Sequence, residues 1–300
     1  MTETDNRKLL FVVNPGSGSN TTDWPLVIKD YFSSSHQTID IFELTKNCNL
    51  ETIKERIRLF APHCVVAVGG DGTIKLVAEC LLHKNIQLGI LPAGSANGLA
   101  KELRIDADPI KALEVLVEGH IKKIHIININ DHLCIHLSDI GLNAYMIKEF
   151  ESQKVRGMWG YLRASLKVLW QNPRLDIEMQ IDKKTLKLKA EMIVIANATK
   201  YGSGVVINPI GTLEDEWFEV IALKQITPYE IFKTIFLRKF QDSLKTEIFQ
   251  TDSFIMRSRR KVHFQVDGEY LGKVKEVKAT IIRDALEVIV PKEAIKNKVS

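Results

Sequence analysis

Residues 64–82, CVVAVGGDGTIKLVAECLL, decide the fold of the N-terminal part of the chain. A short apolar run enters a Gly-Gly-Asp-Gly-Thr turn and leaves it as a helical pattern, which predicts a buried strand, a glycine turn and a helix from Ile74. Glycines let backbone N–H groups approach an anion closely. Asp71, at the centre of the turn, repels phosphate unless Mg²⁺ bridges them or the carboxylate faces a reacting hydroxyl. As an alternative, Asp71 only supports the turn.

Two further turns share this design: residues 14–20 (NPGSGSN) and residues 92–97 (PAGSAN) each follow a predicted strand. Strand and helix patterns alternate over residues 9–116, which predicts a doubly wound parallel sheet. In such a sheet all three turns lie at the carboxyl ends of strands, where ligands bind. Thr73 and Ser95 are suitable as helix N-caps or hydroxyl donors. The turns together predict a phosphate-binding crevice, although they match neither the Walker A motif nor the dinucleotide fingerprint.

The pattern changes after Gly119 to alternating runs separated by Asp, Gly and Lys turns. These runs predict mostly antiparallel strands with helices at residues 144–151, 157–170 and 228–239. The run HLCIHLSDI is predicted to form one strand. The runs VKATIIR and LEVIV are predicted to form two separate strands. We therefore predict an α/β + β fold, in which a doubly wound parallel-sheet domain (1–120) precedes a mostly antiparallel, β-sandwich-like domain (121–300). The sequence leaves open whether the last strand returns to the first domain.

Composition restricts the class of protein. The 300 residues are 45% hydrophobic and carry a formal net charge of +4, which suits anionic substrates or an anionic membrane surface but is too weak to indicate nucleic acid. The N-terminus lacks a signal peptide's apolar core, and no apolar run approaches the ~20 residues that span a bilayer. We expect a cytoplasmic protein with at most peripheral membrane contact. Residues 152–174 interleave basic and aromatic side chains without an acid, which predicts either a bilayer-surface helix or an amphipathic helix packed on its own sheet.

Three motifs carry a family resemblance. Asn14-Pro15-x-Ser17-Gly18, the Gly-Gly-Asp-Gly-Thr turn and Leu-Pro-Ala-Gly-Ser-Ala-Asn resemble, in order and spacing, the diacylglycerol kinase and sphingosine kinase catalytic fold of bacterial-type soluble lipid kinases. SDIGLNAYMI, IANATKYGSGVVINP, LEDEWFEV and QVDGEY extend the resemblance over nearly the whole chain. NAD kinases share the Gly-Gly-Asp-Gly-Thr element, whereas the late Asp-Gly-Glu and the Pro-Ala-Gly-Ser-x-Asn motif favour the lipid kinases.

The resemblance implies ATP-dependent transfer of the γ-phosphoryl group to a diacylglycerol or sphingoid-type hydroxyl, with ATP and Mg²⁺ as cofactors. It also implies a lipid substrate at a membrane surface and no nucleic acid partner, and it leaves a homodimer open. The first domain would bind nucleotide and the second the lipid. Glu269 would be the general base, and Asp71 would act at the transfer centre. The residues implied to hold the nucleotide are Asn14, Ser17, Gly18, Thr45, Gly70, Asp71, Gly72, Thr73, Ser95 and Asn97.

A second, structural Mg²⁺ site is implied at Asp215, with backbone carbonyls from Thr212 and Trp217. The chain departs from the family pattern at several positions. Lys75-Leu76 replace Asn-Glu, Gly98 replaces Asp, and Glu216 and Glu219 replace Gly and Asp. Two alternatives remain at this point, namely an NAD kinase-like phosphotransferase and a nucleotide- or lipid-binding regulator with weakened catalysis.

Overall fold

The computed structural model describes residues 7–18, 22–45, 48–152, 174–181, 184–201, 205–206, 208, 211–225 and 246–292. The chain divides into two compact units: Met1–Ile124 with Asp284–Ser300, and His125–Arg283. The helices predicted at residues 157–170 and 228–239 lie outside the described residues, as do residues 153–173 of the basic segment. None of the helices within the described ranges has the length and apolarity to cross a bilayer.

The helices and strands of both units are numbered here in chain order. They are β1 Lys8–Val13, α1 Trp24–Phe32, β2 Thr38–Glu43, α2 Leu50–Phe60, β3 Cys64–Gly69, α3 Asp71–Leu81, β4 Gln87–Pro92, α4 Gly98–Glu102, α5 Pro109–Glu118, β5 His120–Ile129, β6 His132–Cys134, β7 Leu137–Gly141, α6 Leu142–Ser152, β8 Leu175–Ile181, β9 Lys184–Ala190, β10 Met192–Ala196, β11 Lys200–Tyr201, β12 Val205–Val206, β13 Phe218–Leu223, β14 Thr246–Thr251, β15 Ser253–Val266 and β16 Glu269–Val290.

The first unit is built on a parallel sheet in the strand order β2-β1-β3-β4, and the last part of β16 lies beside β4. Every neighbouring pair is parallel, and Val288 of β16 lies opposite Leu88 of β4. All six residues of β3 are buried, as expected of a parallel sheet covered by helices on both faces. The prediction of a parallel N-terminal sheet is confirmed.

Local signals begin three of the helices around this sheet. Asp23 accepts a hydrogen bond from Leu26 N at 3.1 Å before α1, and Asn49 accepts one from Thr52 N at 3.0 Å before α2. Asp108 accepts two backbone N–H bonds before α5. Such caps satisfy N–H groups that have no partner within the helix.

The helices after the second and third glycine turns begin differently from the prediction. α3 begins at Asp71 rather than at Ile74, because Thr73 N and Ile74 N both donate to Gly70 O, at 2.9 and 3.1 Å. Thr73 is therefore inside the helix and is not its N-cap. α4 begins after Asn97, a left-handed residue with φ of 50°, so Ser95 is not an N-cap either.

The second unit is antiparallel. Its strands follow the order β14-β13-β10-β7-β15-β16, and β8 pairs with both β15 and β9. Phe218, Phe254 and Phe264 are fully buried in an apolar cluster of this unit. This antiparallel part confirms the predicted fold class.

Two strand predictions in this half were wrong. HLCIHLSDI forms two strands, β6 and β7, because the N–H groups of Ile135 and His136 donate to the Asp267 carboxylate at 3.0 and 2.9 Å instead of to a strand. VKATIIR and LEVIV belong to one strand, β16. Asp284, which separates the two runs, takes a left-handed φ of 49° within that strand.

We predict that Asp108→Ala lowers the free energy of unfolding by about 1 kcal/mol, because two N–H groups of α5 lose their acceptor. Asp108→Asn is the matched control, since the amide oxygen still caps the helix. Urea unfolding of the three proteins measures the difference. An equal loss in both variants would contradict a capping role.

Candidate functional site

The three glycine turns of the first unit lie together at the carboxyl ends of β1, β3 and β4. Asn14 N, directly after β1, donates to Val68 O at 2.9 Å, and Ala93 N, directly after β4, donates to Gly69 O at 2.9 Å. The turns therefore continue the register of the sheet and remain adjacent beyond it.

Backbone packs directly on backbone where these turns meet. A Cβ atom on Gly94 would lie closer than 3.0 Å to Gly70 Cα, and one on Gly18 would lie 2.7 Å from Ala93 O. Gly18 also has a φ of +66°, which side chains rarely adopt. Glycine is thus required at Gly94 and Gly18 by close approach, and at Gly18 by conformation as well.

Two asparagines join the turns with their side chains. Asn14 Nδ2 donates to Thr73 Oγ1 at 3.0 Å, which connects the first turn to the second. Asn97 exchanges two bonds of 2.8 Å with Gly94, donating to its O and accepting from its N. The third turn is thereby closed on itself.

Asp71 connects the second turn to the third. Its two carboxylate oxygens accept hydrogen bonds from Gly98 N at 2.9 Å and Leu99 N at 3.1 Å, at the start of α4. A carboxylate there stabilises the positive end of the helix. Gly98, where the family pattern has Asp, contacts Asp71 through its backbone N–H. The role of Asp71 at a transfer centre stays a prediction.

The other predicted nucleotide-binding residues lie on the open side of these turns. Gly72, Thr45 and Ser95 are exposed. A Cβ atom on Gly72 would meet no atom of the described residues within 4 Å. Ser17 is partly buried, and its N donates to Asn14 O at 3.1 Å. The structure therefore brings the three turns together. Thr45 lies at the same edge of the sheet, because it follows β2, the strand beside β1.

In the second unit, Glu269 is exposed at a tight hairpin turn between β15 and β16. The two turn residues, Asp267 and Gly268, have φ of 50° and 87°, and Val266 lies opposite Glu269. Two residues with positive φ are typical of a type I′ hairpin turn. Asp267 and Gly268 therefore form the two-residue turn that joins β15 to β16.

Asp267 also anchors this turn to β7, which the sequence analysis missed. Its carboxylate accepts hydrogen bonds from the backbone N–H groups of Ile135, His136 and Leu137, at 3.0, 2.9 and 3.3 Å. The partners are more than a hundred residues away in sequence, so no local pattern indicates them.

A buried polar network supports the same turn from the other side. Gly268 N donates to Gln265 Oε1 at 2.7 Å, and Gln265 Nε2 donates to the carboxylate of Asp139. Asn143 Nδ2 donates to the same carboxylate. Asp139 is 0% exposed, and burial raises its pKa to about 6 although both amide donors lower it. The sequence does not single out Asp139, because it is one polar residue within a predicted strand.

The predicted structural metal site centres on Asp215. Its Oδ1 is buried and has no hydrogen-bond partner among the residues that the structure describes. Burial raises the pKa of the carboxyl. Burial also raises the pKa of Glu219, with a smaller contribution from the charge of Asp215. Thr212 Oγ1 accepts from Glu214 N at 3.3 Å, and Trp217 is 45% exposed.

The unpartnered oxygen of Asp215 fits a bound cation. In the described ranges, however, no three His, Cys, Asp or Glu side chains converge as metal ligands. Backbone carbonyls would therefore have to complete the coordination.

Comparisons with known families cover most of the chain. The family described as diacylglycerol kinase catalytic domain matches residues 8–129. The family described as YegS C-terminal NAD kinase beta sandwich-like domain matches residues 139–290. The chain therefore belongs to the family of proteins that join these two domains, and the resemblance seen in the motifs is confirmed.

Individual relatives agree with this assignment. A diacylglycerol kinase of Staphylococcus saprophyticus is 24% identical over 241 residues, which are 78% of each chain. A diacylglycerol kinase of Staphylococcus aureus strain RF122 is 25% identical over 217 residues, 70% of this chain and 69% of its own.

Two solved structures share the fold. A diacylglycerol kinase from Bacillus anthracis has a TM-score of 0.71 and 17% identity, covering 96% of this chain and 98% of its own. An NAD kinase from Archaeoglobus fulgidus in complex with ATP has a TM-score of 0.58 and 12% identity, covering 97% and 96%. At these identities the likeness concerns the fold alone.

We predict that Gly94→Ala lowers the free energy of unfolding by about 1–3 kcal/mol, because the added methyl group overlaps the backbone of Gly70. Gly72→Ala is the control from the neighbouring turn, where the methyl group enters open space in the first turn of α3. It should be neutral or stabilise by up to about 1 kcal/mol. Equal destabilisation of the two variants in urea would contradict the close packing.

We predict that Asp139 makes stability depend on pH. Its raised pKa means that the folded protein holds the proton more tightly than the unfolded chain, so ionisation destabilises the fold as pH rises from about 4 through about 6. The free energy of unfolding should fall by up to about 3 kcal/mol relative to Asp139→Asn over this window and stay constant above it. Urea unfolding across the window measures it, and a difference that is independent of pH would contradict it.

Proposed function

We propose that this chain is an ATP-dependent lipid kinase that transfers the γ-phosphoryl group to a lipid hydroxyl. Family membership supports the reaction class. The observation that carries the proposal is the direct backbone contact of the glycine turns at Gly70 and Gly94, at the sheet edge where such folds bind ligands. Glycine turns that lack side chains where they meet allow backbone N–H groups to approach a phosphate closely.

The glycine turns would bind the nucleotide phosphates. α3 begins directly after Gly70, and a helix N-terminus favours negative charge. The open side at Gly72 leaves room for phosphate oxygens. Asn14 and Asn97 would act by holding the turns in place, since their amides are engaged with Thr73 and Gly94.

Glu269 would act as the general base. A lipid hydroxyl is a poor nucleophile until its proton can leave, so a carboxylate must stand within hydrogen-bond reach. In the proposed step, the lipid oxygen forms a bond to the γ-phosphorus, the bond from that phosphorus to the β,γ-bridging oxygen breaks, and the hydroxyl proton moves to Glu269. Asp267, which accepts from the N–H of His136, and Gln265, which accepts from the N–H of Gly268, would keep the carboxylate of Glu269 in position by fixing the turn.

The acidic residues of each unit would hold magnesium. When bound, Mg²⁺ neutralises charge on the phosphate oxygens. Asp71 can still ligate it, because each carboxylate oxygen accepts more than one contact. Asp215, with the carbonyls of Thr212 and Trp217, would hold a second, structural ion through its unpartnered oxygen.

Diacylglycerol is the first acceptor to test, because the matched curated relatives are diacylglycerol kinases. A sphingoid base is the second, as the Pro-Ala-Gly-Ser-Ala-Asn motif suggests. Either acceptor resides in a bilayer, so the proposal includes peripheral contact of a cytoplasmic enzyme with a membrane surface. It includes no nucleic acid partner, and a homodimer remains to be tested by sedimentation.

An NAD kinase-like reaction is the second candidate. It is favoured by the shared Gly-Gly-Asp-Gly-Thr turn and by the fold likeness to the ATP-bound NAD kinase, with a TM-score of 0.58. Both candidates use the same glycine turns, so the acceptor distinguishes them.

We predict that the full chain with γ-labelled ATP and Mg²⁺ labels diacylglycerol or a sphingoid base in mixed micelles. Glu269→Gln should lower kcat by about 10²–10⁴-fold, because the general base is lost, and leave ATP affinity unchanged. Chelation of Mg²⁺ should abolish labelling. Thin-layer separation of the lipids measures the product, and calorimetry measures ATP binding.

Glu287→Gln, the same change elsewhere on β16, is the matched control and should retain full activity. Labelling of NAD without any lipid would replace the proposal by the NAD kinase-like reaction. Nucleotide binding without turnover on any acceptor would indicate a nucleotide- or lipid-binding regulator with weakened catalysis. Equal activity of the Glu269 and Glu287 variants would remove Glu269 from the mechanism.

A further inference from the structure

The β15–β16 hairpin contains a wide bulge. Arg257 lies opposite Glu276, but the next pair in register is Val262 opposite Val274. Residues 258–261 of β15 therefore lie opposite Lys275 alone on β16, while Ser258 also pairs with Ile177 of β8. A bulge of this kind interrupts the ladder and turns extra side chains outward.

The bulge concentrates positive charge. We call its exposed cations the basic bulge; they are Arg259, Arg260, Lys261, Lys273 and Lys275. Outside the bulge the same hairpin balances its charges, as in the pair of Arg257 with Glu276 at 2.7 Å. Within it, Arg259 is paired with Asp176 at 3.6 Å, but the arginine side chain is 86% exposed, so this pair contributes little.

Folding does not account for this cluster. Like charges that face each other across a strand pair destabilise the sheet, and an exposed bulge could hold neutral residues equally well. The charges are instead complementary to a surface that carries many negative groups. Lysine and arginine each add to the attraction of a protein to anionic phospholipid.

The position of the basic bulge indicates which anionic surface it fits. It lies on the hairpin that carries Glu269 at its tip. Lys273 and Lys275 follow Glu269 by four and six residues, on the order of 13 and 20 Å along the strand. Contact with a bilayer through the basic bulge would therefore hold the predicted base near the lipid headgroups. Residues 258–261, Ser-Arg-Arg-Lys, contain no aromatic side chain of the kind that stacks on nucleic acid bases.

We propose that the basic bulge is a docking surface for a bilayer that contains anionic phospholipid. The choice of a bilayer as partner rests on the proposed lipid kinase function. Binding to a bilayer needs neither nucleotide nor turnover. An experiment can therefore contradict the docking surface without contradicting the lipid kinase activity, and the reverse.

The test is cosedimentation of the full chain with phosphatidylcholine vesicles that contain or lack phosphatidylglycerol. The triple variant Arg259→Glu, Arg260→Glu, Lys261→Glu should bind the anionic vesicles at least about tenfold more weakly than the natural chain at low salt. The difference should shrink at high salt, where exposed charges are screened. The matched control replaces three exposed lysines of the first unit: Lys29→Glu, Lys84→Glu, Lys292→Glu.

Both triple variants change the net charge equally, so an equal loss of binding would overturn the proposal in favour of a general charge effect. Unchanged vesicle binding together with lost binding to duplex DNA would overturn it in favour of nucleic acid.

Phosphorylation of a short-chain, water-soluble diacylglycerol without vesicles tests the enzyme separately. Activity there without bulge-dependent vesicle binding would refute the docking surface alone, and bulge-dependent binding without activity would refute the kinase alone. Circular dichroism melts check that each variant is folded.

Discussion

The close approach of backbone at Gly70 and Gly94 is the constraint on which the candidate nucleotide site depends. A methyl group on Gly94 would overlap the neighbouring turn, so the glycine turns meet only because they lack side chains there. Once they meet, Asp71 can reach the first N–H groups of α4 and Asn14 can reach Thr73. The glycines therefore set the positions, and the polar side chains hold them.

The second unit positions its candidate base by the opposite means. Glu269 is exposed at a two-residue turn, and buried polar groups fix that turn through Asp267, Gln265 and Asp139. Burial of a carboxyl is unfavourable unless hydrogen bonds compensate it, and the raised pKa of Asp139 shows that the compensation is incomplete.

The departures from the family pattern differ in the contacts that they make. Gly98, where the family pattern has Asp, donates its backbone N–H to Asp71 and so belongs to the contact between the second and third turns. Glu219, in place of Asp, is buried and accepts from Gln250 and Asn208. The Lys75-Leu76 pair lies within α3 and leaves the contacts of the glycine turns in place.

The sequence by itself determined the parallel N-terminal sheet, its glycine turns and the antiparallel second half, because apolar periodicity and turn residues are local properties. It did not predict that α3 begins at Asp71, inside the glycine turn. It also did not predict that β6 and β7 are separate strands, because the carboxylate that accepts from the N–H groups between them belongs to Asp267, far away in sequence. Only the tertiary structure decided that the end of β16 lies beside β4 and that Asp139 is fully buried. Both depend on contacts between distant segments, which leave no periodic trace in the chain.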